Sequence, residues 1–130
     1  MASRPPARSF FQQFLVYWLP VLLYVTVIVA LSAQANLKPP LHFPNSDKLF
    51  HLLEYGGLGI LLARALRGTL RVRMPLFAAM MAIGIGSLIG AGDEYFQSFV
   101  PGRDSSVYDW MADSLGVMLA QVPYVWGAGR

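Results

Sequence analysis

Residues 92–113 read GDEYFQSFVPGRDSSVYDWMAD and hold five acidic side chains and one arginine. The stretches on either side are suited to lipid, because residues 75–91 and 114–126 contain no charged side chain. Charges at membrane depth cost several kcal/mol each unless they are paired or wetted. The way the chain accommodates these charges therefore decides the fold and locates the candidate site.

The composition indicates an integral membrane protein. The chain has 130 residues, enough for one domain, and is 55% hydrophobic but only 13% charged. An average soluble domain is roughly 25% charged, so too little polar surface is present here to cover a water-facing globule. The absence of cysteine excludes disulfides and thiolate metal ligands. The distribution of the basic residues matches no nucleic-acid-binding pattern.

Four apolar segments follow one another, at about 14–33, 49–66, 75–92 and 107–126. Each is close to the roughly 20 residues that carry a helix through about 30 Å of hydrocarbon. A soluble helical bundle is disfavoured, since helices of this composition have no polar outer faces. The sequence predicts an all-α bundle of four transmembrane helices that forms one domain over residues 1–130.

The first segment has two interpretations. Its basic start and the small-x-small pattern at 32–35 are typical of a cleaved signal peptide. The apolar run from Phe14 to Leu31 is longer than the 7–15 residues of the hydrophobic region of a signal peptide, which favours a retained helix. The intact mass of the mature protein distinguishes the two. Pro20 predicts a kink or a re-satisfied backbone gap in this helix.

The distribution of Lys and Arg predicts that both termini face the cytoplasm. In that orientation the inner side holds seven basic residues and the outer side holds three. The inner ones are Arg4, Arg8, Arg64, Arg67, Arg71, Arg73 and Arg130, and the outer ones are Lys38, Lys48 and Arg103. Every carboxylate of the chain then falls in the outer half.

Polar residues recur on one face of three predicted helices, at helical spacing. The three sets are Asp47, His51, Glu54 and Tyr55; Asp93 and Gln97; and Asp109, Asp113 and Gly116. Because charged stripes avoid lipid, we expect them to face one another. The result would be a polar pocket open to the outside, built by helices two to four, with helix one mainly a scaffold.

The three motifs carry a family resemblance. Asp47-Lys48-x-x-His51-x-x-x-Tyr55, Asp93-Glu94-x-x-Gln97-x-x-x-Pro101-x-Arg103 and Asp109-x-x-x-Asp113-x-x-Gly116 resemble the signature of the VanZ-like membrane proteins, whose founding member is associated with low-level teicoplanin resistance. The resemblance covers about residues 47–116 and implies a multi-pass protein of the bacterial cytoplasmic membrane. Asp113 departs from the pattern, since the family more often has Asn there.

Several residue roles stay open at the level of sequence. His51 suits a structural hydrogen bond, proton transfer or metal ligation. The Asp109 and Asp113 pair suits Mg²⁺ or Ca²⁺, or a static network with Lys48 and His51. Arg103 is either an anion hook for a phosphate or carboxylate or the partner of a neighbouring acid. Adjacent helical residues point about 100° apart, so only one of Asp93 and Glu94 can fully face the pocket.

Two classes of function follow. The first is a binding protein that holds a cell-envelope lipid, a peptidoglycan precursor or a glycopeptide-type molecule and so alters antibiotic sensitivity. The second is a membrane enzyme acting on a lipid-linked or headgroup substrate, with His51 as acid/base assisted by Glu54 and Asp93. The remaining candidate ligand-binding residues are Asp47, Lys48, Tyr55, Glu94, Gln97, Arg103, Asp109 and Asp113. No nucleophile, cofactor, dedicated metal ligand set or oligomeric state follows from the sequence.

Overall fold

The computed structural model describes residues 8–38, 40–70 and 74–127, and within these ranges all regular structure is helical. The helices are α1 (Phe10–Ser32), α2 (Ser46–Thr69), α3 (Pro75–Gln97) and α4 (Val107–Gly127). All four predicted segments are found. Helices α2 and α3 extend further than predicted into the acidic end, because polar side chains there lie inside the bundle. Arg4, Arg71, Arg73 and Arg130, which were counted for orientation, lie outside the described residues.

Three of the described helices are long and apolar enough to cross a membrane, namely α1, α2 and α3. Helix α4 has 21 residues and is long enough to span a membrane, but it is not among the helices that are apolar enough to do so. Its polar residues Asp109, Asp113 and Gln121 are buried by the neighbouring helices. The prediction of an all-helical, membrane-compatible chain is confirmed.

A side chain of a second helix replaces the backbone hydrogen bond that Pro20 removes from α1. Proline has no N–H to give to the carbonyl four residues earlier, which is that of Val16. One turn before the proline, α1 widens into a π-helical turn over Phe14–Trp18. Arg64 of α2 donates from Nη1 to the Val16 carbonyl at 2.8 Å and stacks 5.2 Å from the ring centroid of Tyr17. The predicted re-satisfied backbone gap is confirmed.

Helix α4 lies in close contact with α2 and α3 because glycines form the contact points. A Cβ added at Gly116 would collide with the Leu52 carbonyl of α2 and lie 2.9 Å from the Gly56 nitrogen. On α3, Gly86 faces Val117 and Gly90 faces Asp113. The small-xxx-small spacing of Gly86 and Gly90 therefore serves close helix packing, as the sequence predicted.

The apolar core fills the middle of the bundle. It combines side chains of all four helices: Val21, Ile28, Tyr55, Leu58, Leu62, Ala65, Leu66, Ala82 and Val117. This core separates two polar ends. At one end Arg67 donates from Nη1 to the Tyr124 carbonyl at 3.0 Å, which satisfies one of the free carbonyls in the last turn of α4. The acidic residues occupy the other end.

The packing at Gly116 yields a prediction with a matched control. Gly116→Ala should lower the free energy of unfolding by about 1–3 kcal/mol, because the new methyl group has no space against the α2 backbone. Gly84 lies in α3 with open space around it. Gly84→Ala should therefore leave stability unchanged or raise it slightly. Unfolding in detergent measures both, and equal destabilisation would contradict the packing described.

Candidate functional site

Ionisable side chains meet where α2 begins, α3 ends and α4 begins. We define the acidic cluster as Lys48, His51, Asp93, Glu94, Asp109 and Asp113. Its four carboxylates are each at most 6% exposed. Three helices thus bring residues from all three sequence motifs to one end of the bundle, as the stripes predicted. Burying charged groups together is costly, so the contacts among them decide what the cluster is able to do.

His51 occupies the centre of the acidic cluster. Its Nδ1 lies 2.8 Å from Asp113 Oδ1 and 3.9 Å from Glu94 Oε1. An ionised carboxylate only accepts hydrogen bonds, so an N–H at Nδ1 donates to Asp113. This bond fixes the ring orientation, and the fully buried Asp113 is positioned to stabilise a positive imidazole.

Lys48 bridges two carboxylates on different helices. Its Nζ donates to Asp47 Oδ2 at 2.8 Å and lies 3.1 Å from Oδ1 of Asp109. The contact with Asp47 has hydrogen-bond geometry, whereas Asp109 Oδ1 remains without a hydrogen-bond partner. Lys48 therefore offsets the charge of Asp109 without satisfying that oxygen.

The adjacent Asp93 and Glu94 are both buried but turn to different partners. Glu94 Oε2 accepts from the Ser106 backbone N–H at 2.9 Å, at the start of α4, while Oε1 points toward His51 and has no hydrogen bond. Asp93 Oδ2 instead accepts from Ser32 at 2.7 Å and from Gln97 at 3.0 Å. Glu94 is thus the one of the two that faces His51.

The other candidate residues have varied surroundings. The Glu54 side chain is half-buried and makes no hydrogen bond or ion pair with any described residue, while the fully buried Tyr55 hydroxyl is unpartnered. Arg103 donates to the Leu37 carbonyl at 3.3 Å and forms no ion pair within the described ranges. Its guanidinium thus holds the loop after α1, and both roles predicted for Arg103, anion hook and partner of a neighbouring acid, stay predictions.

A groove runs along the bundle beside the acidic cluster. Its volume is about 960 Å³, and its lining is mostly apolar. The lining residues are Asn45, Lys48, Leu49, Leu52, Ile83, Tyr108, Trp110, Met111, Ala112, Ser114, Leu115 and Met118. Lys48 is the member of the acidic cluster that reaches the groove. The sequence predicted a polar pocket open to the outside. The structure instead has a buried polar cluster with an open apolar groove beside it.

Two contributors to the site were missed by sequence reasoning. Ser32 brings α1 into the acidic end, although α1 was expected to be mainly a scaffold. Its position in the signal-like pattern obscured this role, and nothing local in the sequence indicates a partner 61 residues away. Ser106 could have been found, since a serine just before an apolar periodic segment is a typical helix start.

The fold, a small bundle of apolar helices with polar motifs gathered at one end, is typical of multi-pass membrane proteins. The VanZ/LLP1 family model matches residues 4–127, so the chain belongs to the VanZ/LLP1 family. The match spans all four helices and confirms the resemblance carried by the three motifs. Searches of the curated proteins and of the solved structures found no match.

The bond from α1 to the acidic cluster gives a stability prediction. Ser32→Ala removes a donor from the buried carboxylate of Asp93, and hydrogen bonds to charged groups contribute about 1.5–3 kcal/mol. The free energy of unfolding should fall by that amount. Ser98→Ala is the control, because Ser98 is exposed and donates only to the nearby Tyr95 carbonyl at 2.6 Å. Equal losses in the two variants would contradict a special role of Ser32.

Proposed function

We propose that this chain is a four-span protein of the bacterial cytoplasmic membrane with both termini on the cytoplasmic side. Three helices have the length and apolarity of membrane spans, and α4 packs alongside two of them. Arg64 and Arg67 lie at the end of the bundle opposite the acidic cluster. This separation of charge agrees with the positive-inside rule and supports an outer-leaflet position for the acidic cluster.

We further propose that the protein binds a lipid-type component of the cell envelope. The observation that carries this proposal is the groove of about 960 Å³, whose apolar wall suits a hydrocarbon chain. Lys48 lies in the same wall and supplies a cation for an anionic headgroup. Binding of an envelope lipid or lipid-linked precursor is the route by which such a protein would alter sensitivity to teicoplanin, the drug that the VanZ resemblance implies.

Native mass spectrometry tests the groove directly. Purified protein incubated with envelope lipid extract should retain an anionic lipid or lipid-linked precursor. Leu115→Trp should lose most of this adduct, because the larger ring fills the groove. Leu88→Trp is the matched control, since Leu88 is 76% exposed on α3 and is not part of the groove wall. A glycopeptide adduct in place of lipid, or equal retention by both variants, would overturn the proposed ligand.

The His51–Asp113 contact favours a second candidate function. A histidine held by a buried carboxylate is a common arrangement for general acid/base catalysis. His51 would exchange a proton with a headgroup oxygen. Glu54 lies one turn further along α2, its side chain makes no hydrogen bond to any described residue, and it would assist as a carboxylate. Asp93 is committed to Ser32 and Gln97, which suits a positioning role better than a catalytic one.

Variants of the acidic cluster separate these candidates in cells. In a glycopeptide susceptibility assay, His51→Gln and Asp109→Asn should abolish any protection while the proteins still accumulate in the membrane. Asp104→Asn, an exposed loop substitution, should behave as wild type. If His51→Gln retains the lipid adduct but loses function, catalysis is favoured over binding. Failure of the cluster variants to accumulate would instead support a purely structural cluster.

A further inference from the structure

We infer that His51, Glu94 and Asp109 form a binding site for one divalent transition-metal ion. Each residue comes from a different helix, and one ligand atom of each lies within 4.8 Å of the others. This inference is independent of the groove and of whatever occupies it. It depends only on how the acidic cluster orients its donor atoms.

Two buried oxygens point to a cation at this position. Glu94 Oε1 and Asp109 Oδ1 are shielded from solvent and accept no hydrogen bond, although both carboxylates are at most 6% exposed. A buried acceptor without a partner costs about 1–3 kcal/mol, and more when it is charged. Glu94 Oε1 lies 3.9 Å from the His51 ring and Asp109 Oδ1 lies 3.1 Å from the Lys48 ammonium, and a metal ion would coordinate both oxygens.

The charge balance of the acidic cluster favours an ion of two positive charges. Among the described residues, the four buried carboxylates have ion-pair contacts with two basic side chains, Asp109 with Lys48 and both Asp113 and Glu94 with His51. With all four carboxylates ionised, even a protonated His51 leaves two negative charges in excess among these described side chains. A divalent cation would compensate them.

The ligands are held in place by their neighbours. Ser106 N–H fixes the other oxygen of Glu94 at 2.9 Å, and Asp113 fixes the His51 ring at 2.8 Å. Metal-binding histidines almost always have such a carboxylate or carbonyl behind them, which sets the ring orientation and raises ligand basicity. Asp113 is therefore a positioning residue for the metal and not one of its ligands.

The distances are compatible with coordination. Ligands at about 2.1 Å from one ion lie at most about 4.2 Å apart. Asp113 holds Nδ1 of the His51 ring, so Nε2 is the ring nitrogen that would bind the ion. The complete set within 4.8 Å needs side-chain movements of only a fraction of an ångström. One imidazole with two carboxylates suits Mn²⁺ or Zn²⁺ better than Mg²⁺ or Ca²⁺, which prefer oxygen ligands alone.

Lys48 makes the inference sharply testable. Its ammonium lies 3.1 Å from Asp109 Oδ1, so it competes with a metal ion for that oxygen. Removal of the competing charge by Lys48→Met should tighten metal binding. A static salt-bridge network predicts no such gain, because loss of Lys48 would only destabilise the protein.

The experiment uses the full chain in detergent, stripped with EDTA and titrated separately with Mn²⁺, Zn²⁺, Mg²⁺ and Ca²⁺. Calorimetry and elemental analysis should show one Mn²⁺ or Zn²⁺ ion per chain, bound more tightly than Mg²⁺ or Ca²⁺. Glu94→Gln, Asp109→Asn and His51→Gln should each weaken binding at least ten-fold. Asp113→Asn should cost about 10–100-fold, as for other residues that orient a metal ligand.

The controls are His42→Gln and Asp104→Asn, which remove an exposed histidine and an exposed acid. Neither should change affinity, and the thermal unfolding of every variant reports whether it folds. The inference is overturned if wild type binds no more tightly than His51→Gln, or if the controls weaken binding as much as Glu94→Gln. It is also overturned if Lys48→Met folds and binds the metal no better than wild type.

Discussion

The close approach of α4 to α2 at Gly116 is the constraint on which the rest of the structure depends. With no side chain at this position, the α4 backbone lies directly against the Leu52 carbonyl and the Gly56 nitrogen. Asp113, one turn earlier in α4, then reaches His51, and Asp109, one further turn back, reaches Lys48. Any larger residue at this position would separate the two helices that carry most of the acidic cluster. Backbone packing at Gly116 therefore positions the charged side chains of the site.

The sequence predicts much of this arrangement because its signals are periodic. Segment lengths predict the helices, and residues spaced by four and seven predict which side chains share a face. Gly86 and Gly90 predict close packing, and Pro20 predicts a gap in hydrogen bonding. The general location of the acidic cluster follows from these local rules. In antiparallel helices joined by loops, the start of α2, the end of α3 and the start of α4 lie at the same end of the bundle.

Other features depend on long-range geometry and could not be predicted. Asp93 and Glu94 differ by one position, and only the packed helices decide that Asp93 turns to Ser32 and Glu94 to His51. Arg103 donates to the Leu37 carbonyl, and a local sequence pattern does not indicate a partner 66 residues away. The closure of the cluster and the apolar groove beside it depend on side-chain volumes in three dimensions, which a one-dimensional pattern does not encode.

The Arg64 contact has a consequence for helix assembly. A helix that enters the bilayer with an unpaired Val16 carbonyl carries an exposed polar group in hydrocarbon, which is costly. In the folded bundle Arg64 of α2 donates to that carbonyl. Packing against α2 therefore supplies a polar partner for the backbone of the first helix. Arg64, which counts toward the predicted orientation of the chain, is thus also a link between its first two helices.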